Sequence, residues 1–152
     1  MKDVTLLFLL QDDRILLAMK KRGFGVGKWN GVGGKADPGE TVLEAAVREC
    51  QEEIGVTPLE PQLVGDIEFR MSHDPAFGHH AYIFTATAWE GDPRETEEMR
   101  PEWFVVKDIP YGTMWADDIL WLPYLLKGQP FHGKITLGPN DEIISKELEP
   151  VT

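Results

Sequence analysis

Residues Gly33 to Val56 read GGKADPGETVLEAAVRECQEEIGV, and the punctuation in that run leaves it few ways to fold. A glycine-rich loop leads into a short helix. Thr41 followed three residues later by Glu44 is a capping box, so the helix is expected to start at about Thr41. Gly55 is the expected stop, because glycine tolerates the left-handed conformation in which many helices end. Leu43, Val47, Cys50 and Ile54 recur at helical spacing and predict one apolar stripe facing a core. At roughly 100° per residue, Glu49, Glu52 and Glu53 fall within about 100° of one another and away from that stripe. Carboxylates so spaced repel, and a cation among them removes the repulsion.

The donor type narrows the cation. Oxygen ligands without histidine or thiolate suit a hard divalent ion, magnesium or manganese, better than zinc. Such an ion usually works with substrate phosphates, and the loop Gly31-Val32-Gly33-Gly34-Lys35 can bring backbone groups close to either. The plain alternative is a solvated acidic helix face. Wider spacing decides against it. The run fits Gly-x5-Glu-x7-Arg-Glu-U-x-Glu-Glu-x-Gly-U, with U apolar, through Gly34, Glu40, Arg48, Glu49, Glu52, Glu53 and Gly55. Each such residue type makes up about 5–7% of average sequence, so a chance match at a given start is on the order of one in 10⁸. The pattern resembles that of the Nudix hydrolases. Cys50 occupies a U position usually held by a branched aliphatic residue, a change of packing rather than of chemistry.

At 152 residues and 42% hydrophobic, the chain fits one domain over residues 1–152 with one core. Its single cysteine excludes an internal disulfide framework and suits a reducing compartment, so a cytoplasmic location is expected. Val4–Leu10 is too short to span a bilayer and is not arranged as a signal peptide. A net charge of −11 argues against nucleic-acid polymers as partners. The expected partner is a small nucleotide, with neither membrane nor polymer, acted on by a monomer.

Along the chain, Val4–Leu10 and Ile15–Met19 read as a strand hairpin turning at Gln11–Arg14. Lys20-Lys21-Arg22 follows, either an anion contact or a solvated strand end. Leu63–Met71 and Ala81–Trp89 read as strands around an exposed polar loop, Ser72–His80. Its His79-His80 pair lacks partners at metal-ligand spacing. Glu95, Glu97 and Glu98 offer extra metal or base groups, and Trp103–Lys107 resembles a further strand. Ile119–Leu126 reads as a second helix, capped by Asp117 or Asp118 and kinked or shifted by Pro123. Phe131–Leu137 and Glu142–Leu148 form a closing hairpin. The class is α/β, a mixed sheet with helices packed against it.

Beyond the helix motif, MKKRGFGVGKWNGVGGK, EMRPEWF, MWADD and FHG resemble the MutT-related branch of the Nudix family, which acts on oxidised purine nucleoside triphosphates. That resemblance implies the Nudix α/β/α sandwich. It implies that Glu49, Glu52 and Glu53 hold magnesium with the Gly33 carbonyl and that Arg48 and Glu40 orient loop and helix; Glu98, from the acidic segment, is the further candidate to assist. Glu53 is the foremost base or ligand. It further implies a base pocket of Thr5, Lys20, Phe24, Asn30, Phe69, Trp115, Asp117 and Asp118. An indole face stacks on a purine, worth roughly 1–3 kcal/mol per base. Two adjacent carboxylates in a dry pocket do not both ionise easily, so one is expected to keep a proton and donate. Read from residues alone, Asp117 and Asp118 cap a helix and Trp115 packs in the core.

The activity so implied is hydrolysis of 8-oxo-dGTP or 2-hydroxy-dATP type triphosphates to monophosphate and pyrophosphate, sanitising the nucleotide pool. The rivals are a Nudix enzyme for ADP-ribose or a dinucleotide, and a nucleotide-binding module without hydrolysis. The Trp115-Ala116-Asp117-Asp118 run disfavours the first, and the intact glutamates disfavour the second.

Overall fold

Ten strands and two helices follow from these patterns in the computed structural model, which describes residues 1–151. Lys2–Gln11 (β1) and Arg14–Lys20 (β2) form the first hairpin, and Trp29–Asn30 (β3) is a short strand before the glycine loop. Val42–Ile54 is α1, followed by Thr57–Pro58 (β4), Gln62–Met71 (β5), Asp74–Ala86 (β6), Trp89–Glu90 (β7) and Met99–Val105 (β8). Asp118–Leu126 is α2, and Phe131–Leu137 (β9) and Ile143–Pro150 (β10) close the chain. The main sheet runs β10-β9-β5-β6-β1-β2-β3, with β8 also paired to β2. β1 lies parallel to β6, and β5 parallel to β9, so the sheet is mixed. Among the described residues no helix is long and apolar enough to cross a membrane.

The continuous apolar run of β1 is what a strand covered on both faces requires. Leu7 and Leu9 join Ala46, Cys50 and Ile54 in the core beneath α1, whereas Phe8 joins Trp121, Leu122 and Leu125 beneath α2. Each face thus has its own helix and its own core: the three-layer sandwich is as expected, but the single core expected from length is divided in two by the sheet.

One departure from a regular sheet positions the site. β1 and β2 pair only at Leu10–Ile15 and Gln11–Arg14, next to their turn. Beyond it they part, and the glycine loop fills the gap. β2 pairs with β3, while β1 bonds to the loop itself: Leu7 N–H donates to the Val32 carbonyl at 2.7 Å and Thr5 N–H to the Gly34 carbonyl at 2.8 Å. Glycine is required at this approach, because a Cβ on Gly33 would lie 1.7 Å from the Thr5 carbonyl oxygen.

Several expectations need correction. Thr41 and Glu44 form the capping box and Gly55 caps α1 at φ 73°, as the sequence predicts. The buried face is rotated from the expected stripe, however. Leu43 is 45% exposed, whereas Glu53 is only 6% exposed and lies on the core side with Ala46, Cys50 and Ile54. Side-chain length explains this: two alanines let α1 approach the sheet closely, and the close approach covers Glu53 as well. The expected loop Ser72–His80 is mostly strand, since β6 begins at Asp74 and only Ser72-His73 turn the chain. The strand expected to run to Trp89 breaks after Ala86 and resumes as β7, paired with β4. The strand expected from Trp103 starts at Met99, and 3₁₀ turns take Val106–Asp108. Pro123 lies inside α2 and does not shift its end from Leu126, because burial of Trp121, Leu122 and Leu125 outweighs one lost backbone bond.

The sheet also sets limits on glycine replacement. A Cβ at Gly65 would lie 2.5 Å from the buried Phe131 ring, whereas one at Gly112 meets nothing within 4 Å. Gly65→Ala should therefore lower unfolding free energy by about 1–3 kcal/mol, as overpacked cores do, and Gly112→Ala should change it by less than about 0.5 kcal/mol. Urea unfolding of both variants checks this. Equal midpoints for the two would refute the packing assignment.

Candidate active site

Glu53 occupies the last turn of α1, where the helix end meets the glycine loop. The loop's extended backbone turns alternate groups towards β1, and those of Gly33 face α1, where its N–H donates to Glu53 Oε2 at 3.2 Å. Glu49, one turn earlier, lies flat on Gly34: a Cβ there would sit 2.7 Å from the Glu49 carboxyl carbon. Burial, and then the neighbouring Glu49, push the Glu53 carboxyl up to about 8, against the pull of the Gly33 N–H and of Lys20. Burial likewise pushes the Cys50 thiol up to about 12, so this cysteine stays a protonated core side chain.

Arg48 ties the loop to the helix. It donates to Glu40 through Nε at 2.8 Å and Nη2 at 3.0 Å, and to the Lys35 carbonyl at 3.1 Å. Its Nη1 also reaches Glu49 at 2.9 Å and Glu52 at 3.1 Å. Hydrogen bonding to Arg48 holds the Glu40 carboxyl down at about 2, and the same bonds raise the guanidinium further above its usual range. In consequence Glu52 is drawn outward, and Glu98 is held on the loop before β8 by Arg22 at 2.8 Å. Among the described residues no three acidic, histidine or cysteine side chains converge as a finished metal cage. Glu49 and Glu53 are brought together at the glycine loop, Glu49 while also bonded to Arg48; Glu52 and Glu98 are paired to arginines away from Glu53.

A cavity of about 230 Å³ opens beside the same loop. Thr5, Lys20, Phe24, Asn30, Phe69, Trp115, Asp117 and Asp118 all line it, and so do Gly33 and Gly34. The sources are scattered: the loop after β2 supplies Phe24, β3 Asn30, β5 Phe69, and the start of α2 the tryptophan and aspartates. Phe24, 65% exposed, stacks on Trp115 with ring centres 5.1 Å apart, and the Lys28 ammonium lies 5.1 Å from the Trp115 ring centre. Asp117 and Asp118 are 3% and 2% exposed. Asp117 makes no side-chain cap to α2; its Oδ2 accepts from the Trp121 indole N–H at 2.8 Å. Asp118 Oδ2 accepts from the Trp115 backbone N–H at 3.1 Å. Burial raises both carboxyls above the usual range, Asp118 more strongly because Asp117 adds its charge.

The cavity wall also includes residues that sequence reasoning passed over. His79 and Phe77 lie on β6 with ring centres 4.6 Å apart, and His79 lines the cavity alongside Met71, Ala81 and Met99. Burial, then Lys35 and Lys2, lower the His79 pKa. Period-two spacing of Phe77, His79 and Ala81 was the available signal, hidden by reading Ser72–His80 as a loop. His80 points the other way and meets Asp66 at 2.7 Å. The basic run Lys20-Lys21-Arg22 pairs within the chain, Lys21 with Glu95 at 2.7 Å and Arg22 with Glu98.

Comparison with known proteins adds to this geometry. Residues 1–125 match the NUDIX domain. Over 150 residues the chain is 45% identical to the oxidized purine nucleoside triphosphate hydrolase of Danio rerio, covering 99% of this chain and 96% of that protein. Identity to the Mus musculus protein of the same name is 44% over 147 residues, 97% of this chain and 94% of that one. The crystal structure of the mutator MutT protein from Bacillus halodurans superposes with a TM-score of 0.88 at 27% identity, covering 98% of both chains.

The buried acids make the metal-free protein sensitive to pH. The Glu53 carboxyl moves from an ordinary 4.5 to about 8 on folding, so between those values the folded chain holds a proton that the unfolded chain releases. Its contribution to stability is full at low pH and is lost as pH rises through about 8. The raised Asp117 and Asp118 act in the same direction. Melting temperature in EDTA should therefore fall more steeply with pH for the unmodified protein than for Glu53→Gln. Superimposable pH curves for the two proteins would contradict the burial of this charge.

Proposed function

Because the chain belongs to the Nudix family, we propose that it is an enzyme hydrolysing oxidised purine nucleoside triphosphates, of the 8-oxo-dGTP and 2-hydroxy-dATP type, to the nucleoside monophosphate and pyrophosphate. One juxtaposition carries this reading. Gly33 and Gly34 line the cavity on one side and seat Glu53 and Glu49 on the other, so a base held in the cavity brings its phosphates to the acidic end of α1. The relatives from Danio rerio and Mus musculus, named for this activity, support the substrate class.

The residues at that end fit a divalent ion. Glu53 is a buried carboxylate whose neighbour is a second carboxylate, and the Gly33 N–H and the charge of Lys20 do not offset the burial and the neighbouring Glu49 that raise its pKa. A hard cation suits such an all-oxygen set, magnesium first and manganese as a substitute. Glu49, Glu53 and the Gly33 carbonyl would hold it, joined by Glu52, which is exposed and only 3.1 Å from its arginine. Glu98 is a more distant assistant. When bound, the ion supplies charge neutralisation at the phosphates and a more acidic water.

The chain's own groups supply the rest. With the ion bound, Glu53 would be ionised, and this carboxylate is the one placed at the glycine loop to accept a proton from the attacking water. Arg48 and Glu40 keep the loop and helix in register. Lys20 projects into the cavity and offsets the negative charge of the protein where an anionic substrate enters. Trp115 and Phe24 offer aromatic faces to a purine, and Asn30 pairs with its edge. With burial holding a proton on the Asp117–Asp118 pair, one carboxyl donates and the other accepts, and exchanging the roles suits different oxidised purines. No polymeric or membrane partner is needed, and a cytoplasmic monomer is sufficient.

With magnesium and 8-oxo-dGTP, the products should be the monophosphate and pyrophosphate. Glu53→Gln should cut turnover by about three orders of magnitude, the scale of a lost proton-transfer group, and still bind nucleotide. Asp118→Asn keeps an oxygen for the Trp115 N–H but leaves a base group unpaired, a loss of roughly 1–3 kcal/mol. Its Michaelis constant for oxidised guanine should rise and the ranking among oxidised guanine, oxidised adenine and unmodified dGTP should change. Orthophosphate as the primary product, or faster turnover of ADP-ribose, would reject the proposal; unchanged ratios for Asp118→Asn would reject the pocket assignment.

A further inference from the structure

The acidic segment between β7 and β8 is strapped to the end of α1, at the turn that carries Glu53. A helix leaves its last carbonyls without partners, and here a distant loop supplies them. The Thr96 hydroxyl donates to the Glu53 backbone carbonyl at 2.7 Å, and the Arg94 N–H donates to the Ile54 carbonyl at 3.0 Å. The Thr96 hydroxyl oxygen accepts in turn from the N–H groups of Glu98 and Met99, both at 3.3 Å, so the hydroxyl hydrogen is directed at α1. Two glycines permit the contact: a Cβ on Gly91 would lie 2.9 Å from the Gly55 carbonyl, and one on Gly55 would lie 2.9 Å from the Arg94 guanidinium. The strap is anchored at its far side by Lys21, whose ammonium reaches the Thr96 carbonyl at 2.8 Å and Glu95 at 2.7 Å.

We propose that Thr96 is a positioning residue for the metal site: by bonding the Glu53 carbonyl it fixes where the Glu53 carboxylate stands against Gly33. This rests on the reading of Glu53 as a metal-holding residue. A helix end tends to fray, and carboxylate placement of the last turn follows its backbone. A ligand at that end therefore needs an outside restraint if it is to be ready for the ion. Lys21 acts one step further out, through the Thr96 carbonyl, and the same strap carries Glu98 beside Lys20, 3.8 Å away, at the cavity edge. The ion pairs of Lys21 with Glu95 and of Arg22 with Glu98 thus serve to hold the strap rather than to receive substrate phosphate, and Lys20 is left to the cavity.

The test is manganese binding to the nucleotide-free protein, followed by electron paramagnetic resonance of free Mn²⁺, alongside turnover in magnesium. Thr96→Val keeps the shape and removes the hydroxyl. It should weaken Mn²⁺ binding by roughly tenfold, the scale seen when outer partners of metal ligands are lost, and lower kcat with little change in KM. Thr96→Ser should restore both. Should Thr96→Val fail to fold, Lys21→Met carries the same question and should weaken Mn²⁺ binding by about two- to threefold, less than the direct contact. Glu53→Gln separates the two levels of inference. If it abolishes tight Mn²⁺ binding while Thr96→Val, or Lys21→Met in its place, leaves binding unchanged, the role of Thr96 is refuted and Glu53 stands. If Glu53→Gln itself leaves binding unchanged, both fail. A Thr96→Val protein that is only less heat-stable, with normal binding and kcat, shows a structural tie alone and overturns the proposal.

Discussion

A carboxylate held out of water at the end of a helix is the constraint on which this structure turns. Glu53 sits among core residues because Ala45 and Ala46 bring α1 close to the sheet, and its burial drives the carboxyl towards neutrality. That arrangement is unfavourable for folding considered alone. It is tolerable because the glycine loop offers an N–H to one face and Thr96 restrains the backbone behind it. The same arrangement leaves a site with strong demand for positive charge, which is what a divalent ion with a polyphosphate brings.

The parting of β1 and β2 is the architectural counterpart of that constraint. A hairpin that stayed paired to its ends would leave no room for a loop between its strands. Here the pairing stops beside the turn, and residues 29–36 cross the opening, bonded to β2 through Trp29–Asn30 and to β1 through Val32 and Gly34. One extended segment therefore faces the cavity on one side and α1 on the other. Base recognition and phosphate chemistry are coupled by a few rigid backbone groups, which suits a site whose reacting atoms must be held to small tolerances.

Charge is distributed with the same economy. The chain carries a net charge of −11, yet its basic residues near the site are mostly committed to partners: Arg48 to Glu40, Glu49 and Glu52, Arg22 to Glu98, Lys21 to Glu95. Lys20 and Lys28 remain directed at the cavity. Pairs exposed to solvent contribute little to stability. Their value here is geometric, since each joins segments far apart in sequence around the same helix end.

The sequence by itself determined the local chemistry: the capping box at Thr41 and Glu44, the glycine stop, the approach of glutamates on one helix, and the strand and helix patterns of an α/β chain. Those features depend on neighbours within a few turns, and their spacing is written in the chain. The Nudix pattern and the stretches around Trp115-Ala116-Asp117-Asp118 also marked the eight residues that line one cavity, although no local periodicity relates them. Only the tertiary structure decided that Glu53 faces the core, because helix burial depends on how closely alanines allow the sheet to approach. It decided that Asp117 bonds an indole instead of capping its helix, since that bond needs Trp121 one turn further along a buried face. It also turned the supposed loop at Ser72–His80 into a strand carrying His79 to the cavity, because polar residues adopt strand geometry when a partner strand supplies the hydrogen bonds. And it joined Thr96 to Glu53 across 43 residues of sequence, a contact made by the packing of a loop on a helix end, for which no spacing rule exists.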